Sequence, residues 1–118
     1  MNRGQRNNSP VNLKFAHQRE STGPDDKGFA VFPTPEAGWR AAMAQIFLDA
    51  SRGMTLGAYI YKFAPPSENE TQKYLDYIVG KLFIDPKINL GSLCIGEDMM
   101  MLVDIVVAQA EMEGWFAK

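Results

Sequence analysis

Between Thr34 and Gly53, apolar side chains return at the spacing of an α-helix, and both ends of the stretch carry their own boundary signals. Trp39, Met43, Ile46 and Ala50 share one stripe, widened by Ala42 and Phe47. Thr34 offers a hydroxyl to cap the start, Pro35 suits the first helical position, and Glu36 meets the positive end of the dipole. Gly53 is a natural stop. A helix with such a stripe must cover it, and three further stretches of helical period supply the cover.

Thr55 caps a short second helix carrying Leu56, Tyr59, Ile60 and Phe63, which Pro65 and Pro66 end. Ser67 or Asn69 starts a third, with Tyr74, Ile78 and Leu82 on one face, broken at Asp85-Pro86. The last runs from about Glu97 to Glu113, with acids at its start and Gly114 after it. Residues 86–96 read as an irregular connector containing Gly91 and Gly96.

Ahead of the first helix the pattern weakens. Residues 1–10 read as a polar, turn-prone arm, Val11 to Ala16 and Phe29 to Phe32 as short strands, and Ser21 to Gly28 as a loop. The expected fold is therefore mainly α within the α+β class: one domain over residues 1–118, with about four helices and a small N-terminal β-hairpin. A chain of 118 residues that is 46% apolar can bury a core without staples.

Composition excludes several function classes. The one cysteine, Cys94, rules out an internal disulfide and reads as a small buried hydrophobe. With one histidine, His17, no metal site is expected, because structural zinc needs about four protein ligands. No G-x-S-x-G is present. Lysines and arginines are scattered in a chain of net charge -2, which argues against nucleic acid as a partner. The first residues have no apolar segment of the secretory kind. The longest apolar run, Met99 to Ala108, is interrupted by Asp104 and is too short to insert in a membrane.

One residue does not fit its face. With Leu102 at zero and about 100° per residue, Val106 falls near 40°, Met99 near 60° and Ala110 near 80°. Glu113 falls at about 20°, within that apolar stripe, and Gln109 lies one turn before it. Glu111 and Asp104 fall on the opposite side. A carboxylate on an apolar face is costly to keep charged, and desolvation raises its pKa. A glutamic acid so held can protonate a glycosidic oxygen. The plain alternative is that the final turn frays and the side chain reaches water.

Five stretches carry a family resemblance. Arg6-Asn7-Asn8-Ser9-Pro10-Val11-Asn12-Leu13 resembles the R-N-N-N-P-G-N-L segment of phage and prophage lysozyme-like proteins, a family of muramidases, lytic transglycosylases and virion-associated lytic proteins. Gly28 to Gly38 is similar to the family's G-x-F-A-x-F-x-[ST]-P-E-x-G segment, and Arg52-Gly53-Met54-Thr55-Leu56 to its R-G-x-T-L turn. Phe63 to Tyr74 resembles Y-A-P-P-x-E-N-D-T-x-x-Y, and Glu113-Gly114-Trp115-Phe116 resembles E-G-[YW]-F. In many relatives the E-G-[YF] helix precedes the R-N-N-N-P-G segment; here it comes last, as in a circularly permuted lysozyme-like fold.

The resemblance implies cleavage of peptidoglycan glycan strands, with Glu113 as the acid. It implies a sugar cleft bordered by Asn7, Asn8 and Asn12 on one wall and by Asn69, Thr71 and Tyr74 on the other. It implies no cofactor. A protein of this kind is made in a bacterial cytoplasm and acts at the cell wall or as part of a virion. The bland readings are turn chemistry for the three N-terminal asparagines, helix capping for Asn69 and Thr71, and a core place for Tyr74. Trp39 and Trp115 read as core aromatics, with sugar stacking the alternative. Two positions depart from the pattern: Ser9 replaces Asn, and Val11 replaces Gly, adding bulk beside the expected cleft.

A two-carboxylate glycosidase would need a second acid, for which Glu20 is the candidate, although Arg19 beside it favours an exposed ion pair. A lytic transglycosylase needs one acid. Two other classes compete: a non-catalytic virion or wall-binding protein reusing the fold, and a protein that binds a host partner through its seven methionines and its aromatic residues.

Overall fold

A computed structural model describes all residues, Met1–Lys118. The chain is mainly helical, with five α-helices and one two-stranded antiparallel sheet, an α+β fold as expected. It forms two compact units, one of Met1–Gln45 with Gln109–Lys118 and one of Ile46–Ala108. No helix is long and apolar enough to cross a membrane.

The first unit opens on α1, Arg3–Arg6, where a polar arm was expected. Four residues are too few to show a helical period, yet they carry a reciprocal cap. The Asn2 side chain accepts from the Gln5 N–H at 3.0 Å, and the Gln5 side chain accepts from the Asn2 N–H at 3.0 Å. Gly4, Asn7, Ser9 and Pro10 are buried, so the segment is built into the unit. Its core is Val11, Leu13, Ala30, Phe32, Ala37 and Ala42, with Gln109 and Ala110.

The hairpin differs from expectation in one strand. β2, Ala30–Val31, lies within Phe29–Phe32 as read, but its partner β1 is Gly23–Pro24, inside the stretch read as a loop. The Asp25 carboxylate makes this possible by accepting the N–H groups of Lys27 and Phe29, both at 2.9 Å, which closes the turn ending at Gly28. Val11 to Ala16 is reduced to a single bridge, Lys14 with Phe29. Left-handed residues at Asn12 (φ 54°) and His17 (φ 57°) cut the extended run at both ends.

α2, Pro35–Ser51, starts as its caps dictate: the Ala37 N–H donates to Thr34 Oγ1 at 3.1 Å. It passes from the first unit into the second after Gln45. In the second unit, α3 is Leu56–Phe63, capped by Thr55 as expected. α4 is Thr71–Leu82, a later start than Ser67 or Asn69, because Pro65 to Glu68 closes a separate turn through Glu68 N–H to Pro65 O at 2.9 Å. It ends at Phe83, in left-handed geometry (φ 56°), ahead of the Asp85-Pro86 break. The connector holds two short 3-10 turns, Leu90–Leu93 and Gly96–Asp98, and Cys94 is half-buried rather than buried. α5, Met99–Met112, starts two residues later than expected and passes into the first unit after Ala108.

The core of the second unit is Ile46, Leu56, Tyr59, Ile60, Ile78, Leu90, Leu102, Ile105 and Val106, all 2% exposed or less. Burying side chains of this size contributes roughly 1.5–3 kcal/mol each. Asp49 is also buried, with one oxygen accepting from Lys62 Nζ at 2.6 Å and Arg52 Nη1 at 3.1 Å. A carboxylate there is tolerable because two cations reach it.

Candidate functional site

The C-terminal end of α5 sets the position of Glu113. Its backbone N–H donates to Gln109 O at 2.9 Å, continuing the helical ladder. Gly114 then takes φ 78°, and Trp115 N–H closes back on Ala110 O at 3.0 Å, a glycine-dependent helix end. Glu113 is half-buried, while Gln109 and Ala110 beside it are fully buried.

The two ends of the chain meet at this turn. Asn2 Nδ2 donates to Gly114 O at 2.8 Å, and Gln5 Nε2 donates to Trp115 O at 3.1 Å and Ala117 O at 2.6 Å. Trp39 stands edge-on to Trp115, with ring centroids 6.1 Å apart at 81°, and 6.5 Å from Phe116. Three stretches distant in sequence therefore come together in the first unit: residues 2–12, residues 28–39 and residues 113–117. A shallow open groove of about 540 Å³ lies among Met1, Asn2, Gln5, Asn8, Pro35 and Trp115. Glu113 does not line it.

The expected asparagines of this unit are largely occupied by the fold. Asn7 is buried and donates from Nδ2 to Asp25 Oδ2 at 2.9 Å. Asn8 has φ 55° and donates to Phe32 O at 3.0 Å. Asn12 keeps a buried Oδ1 with no hydrogen-bond partner. Ser9 is buried, and its hydroxyl accepts the Leu13 N–H at 3.0 Å. Val11 adds no bulk to a cleft: it is 2% exposed, and the left-handed positions fall on Asn8 and Asn12 instead.

Two charge clusters flank these segments. Glu20 is exposed and held by both arms of Arg40, Nε to Oε2 and Nη2 to Oε1, each at 2.7 Å. Its hydrogen-bonded partner is thus Arg40, twenty residues away, while the charge of the adjacent Arg19 adds to the pull. The Arg40 hydrogen bonds hold the Glu20 carboxyl below the usual range, against the opposing effect of desolvation. Asp25 is pulled further, to about 2, chiefly by the Asn7 amide and then by the Phe29 N–H. The Lys27 N–H and the charge of Arg3 add to this, and Arg3 also lies over the Phe29 ring at 4.3 Å.

The remaining expected residues belong to the second unit. Asn69 is exposed, with its amide 3.4 Å from Pro65 O. Thr71 is buried and its hydroxyl donates to Ala64 O. Tyr74 is buried, with its ring edge-on to Phe63 at 6.0 Å. Sequence reasoning missed Asn2, Gln5 and Asp49. The first two were readable as a reciprocal cap; Asp49 was not, because its lysine partner lies thirteen residues away. No family model and no curated protein matches this chain.

Proposed function

We propose that the protein cleaves peptidoglycan glycan strands, with Glu113 as general acid and base. The observation that carries the reading is the meeting of the Glu113-Gly114-Trp115-Phe116 turn with residues 2–12 and 28–39. Residues 6–13 and 28–38, two of the five stretches that resemble lysozyme-like proteins, meet through Asn8 and Phe32. The turn is a third, tied to them by the flanking Asn2, Gln5 and Trp39, and the joined ends suit a permuted order. The half-buried place of Glu113 beside fully buried Gln109 and Ala110 supports a proton-donor role.

In this reading Glu113 protonates the oxygen leaving the N-acetylmuramic acid ring. It then accepts the proton of that ring's C6 hydroxyl as the hydroxyl oxygen bonds to the anomeric carbon, leaving a 1,6-anhydro end. A single acid suffices for this chemistry. Glu20 is clamped by Arg40 and makes a poor second carboxylate. Hydrolysis by water at the same carbon is the muramidase variant.

The test compares wild type with Glu113→Gln on purified cell walls, with product mass as readout. An anhydro end from the wild type alone supports the transglycosylase form, and a reducing end supports the muramidase form. Equal inertness of both proteins over a wide pH range sinks the enzyme reading.

One set of observations favours a non-catalytic alternative. Asn7, Thr71 and Tyr74 are buried and engaged within the fold, and the Asn8 amide is spent on Phe32 O. A protein that retains wall affinity without releasing products would fit this second reading.

A further inference from the structure

The start of α5 is built inside out. Ile95 is 81% exposed, Met99 39% and Met100 61%, three large apolar side chains within six residues. Further along α5, Leu102, Ile105 and Val106 are fully buried. Gly96, at φ 63°, turns the chain between Ile95 and the helix. Met100 stands on the outward row, with exposed Glu97 three residues before it and exposed Asp104 four residues after it. Asp98 is exposed beside them.

The charge around this knuckle is one-sided. From Ile88 to Ala108, within the second unit, the chain carries carboxylates at Glu97, Asp98 and Asp104 and not one lysine, arginine or histidine. Acids elsewhere do find cations, as Asp49 finds Lys62 and Glu20 finds Arg40. Here the segment supplies no cation of its own.

We propose that the knuckle of Ile95, Met99 and Met100, rimmed by Glu97, Asp98 and Asp104, is a docking surface for a basic amphipathic segment of another protein. The apolar residues give such a segment a place to bury its own apolar face, and unbranched methionines adapt to varied shapes. The rim selects for sign. A second copy in a two-fold contact would bring Glu97 and Asp98 against their own counterparts, and anionic lipid or nucleic acid would meet the same repulsion. A cationic helix or loop is the occupant that satisfies both halves of the surface.

The surface can be tested on the full chain with a short amphipathic peptide of leucine and lysine as probe and a leucine–glutamate peptide as control. Backbone amide NMR shifts should move chiefly over residues 94–104 with the lysine peptide and not with the control. Glu97→Lys with Asp98→Lys should weaken binding at least about tenfold, and Ile95→Ser with Met100→Ser should do the same. Glu68→Lys with Glu70→Lys makes the same change in net charge at exposed positions elsewhere, and should weaken it less than about twofold. All these positions are exposed, so thermal unfolding should show every variant folded. Equal loss from both charge reversals, shifts centred elsewhere or no binding at all would overturn the proposal. So would self-association of the wild type that Met100→Ser abolishes, since the knuckle would then be a self-contact.

Discussion

The carbonyl oxygen of Asn8 lies 1.9 Å from where a β-carbon on residue 38 would stand, so helix α2 meets the N-terminal segment at a place that only Gly38 can fill. The neighbouring obstructions, Asn8 C at 3.0 Å and Pro10 Cδ at 2.8 Å, are backbone and a ring locked to it. Neither can move without shifting the Asn7-Asn8 turn. Gly38→Ala should therefore destabilise the protein by about 3 kcal/mol, at the upper end for overpacked sites. Urea unfolding would measure it, and a loss under about 1 kcal/mol would mean that the contact is softer than the geometry implies.

Asp25 ties the hairpin turn to Asn7, and its acidity makes that tie pH-dependent. The unfolded carboxyl titrates near 3.8 and the folded one near 2. The unfolded chain therefore binds more protons across this window, and stability rises with pH through it. The contribution is complete above the unfolded value and disappears as pH falls toward 2. Asp25→Asn should flatten the acid limb of the Tm-versus-pH curve between about pH 4 and pH 2. An unchanged acid limb would show that the turn does not need the charge.

The buried carboxylate of Asp49 is held by two cations of unequal quality. Lys62 Nζ approaches to 2.6 Å and Arg52 Nη1 to 3.1 Å, with side chains 45% and 55% exposed. Water screens both, so neither is worth a fully buried pair. Lys62→Met should cost about 1–2 kcal/mol, because it takes the nearer cation from a desolvated carboxylate. Arg52→Met should cost less than about 1 kcal/mol. A reversed order in thermal or urea unfolding would show that Arg52 is the principal partner.

What the sequence disclosed follows from how local each signal is. Thr34 and Thr55 cap their helices within three residues, and both starts could be read from the chain. The end of α4 could not, because Phe83 takes a left-handed conformation that bulky residues rarely adopt. β1 escaped because two residues, one of them Pro24, show no alternation. The apolar face of α5 was legible through Leu102, Val106 and buried Gln109. The surroundings of Glu113 were not, because Gly114, Trp115 and the N-terminal cap meet across more than a hundred residues. A separation of twenty residues likewise hid the Arg40 partner of Glu20, for which the adjacent Arg19 was the local candidate.

Gln5 concentrates that long-range closure in one side chain. Its Oε1 completes the reciprocal cap of α1, while its Nε2 holds the carbonyls of Trp115 and Ala117. Gln5→Ala removes the side-chain half of the cap, leaving the residue-5 N–H on Asn2 Oδ1, and releases the C-terminal turn. Each lost bond is worth about 1 kcal/mol, and the two tail bonds share one partly exposed donor, so the expected cost is about 1–2 kcal/mol. Gln5→Glu separates the two roles: it keeps the acceptor for Asn2 N–H and loses the donor to the tail. Both variants should weaken the near-ultraviolet circular dichroism of the Trp39–Trp115 pair, because the turn that fixes Trp115 then keeps only the Asn2 bond of the three that tie it to the N-terminal segment. Only Gln5→Ala should also lower the stability of α1. If the Gln5→Glu spectrum matched the wild type, Trp115 would be fixed by its packing on Trp39, and the N-terminal cap would have no hold on the turn that follows Glu113.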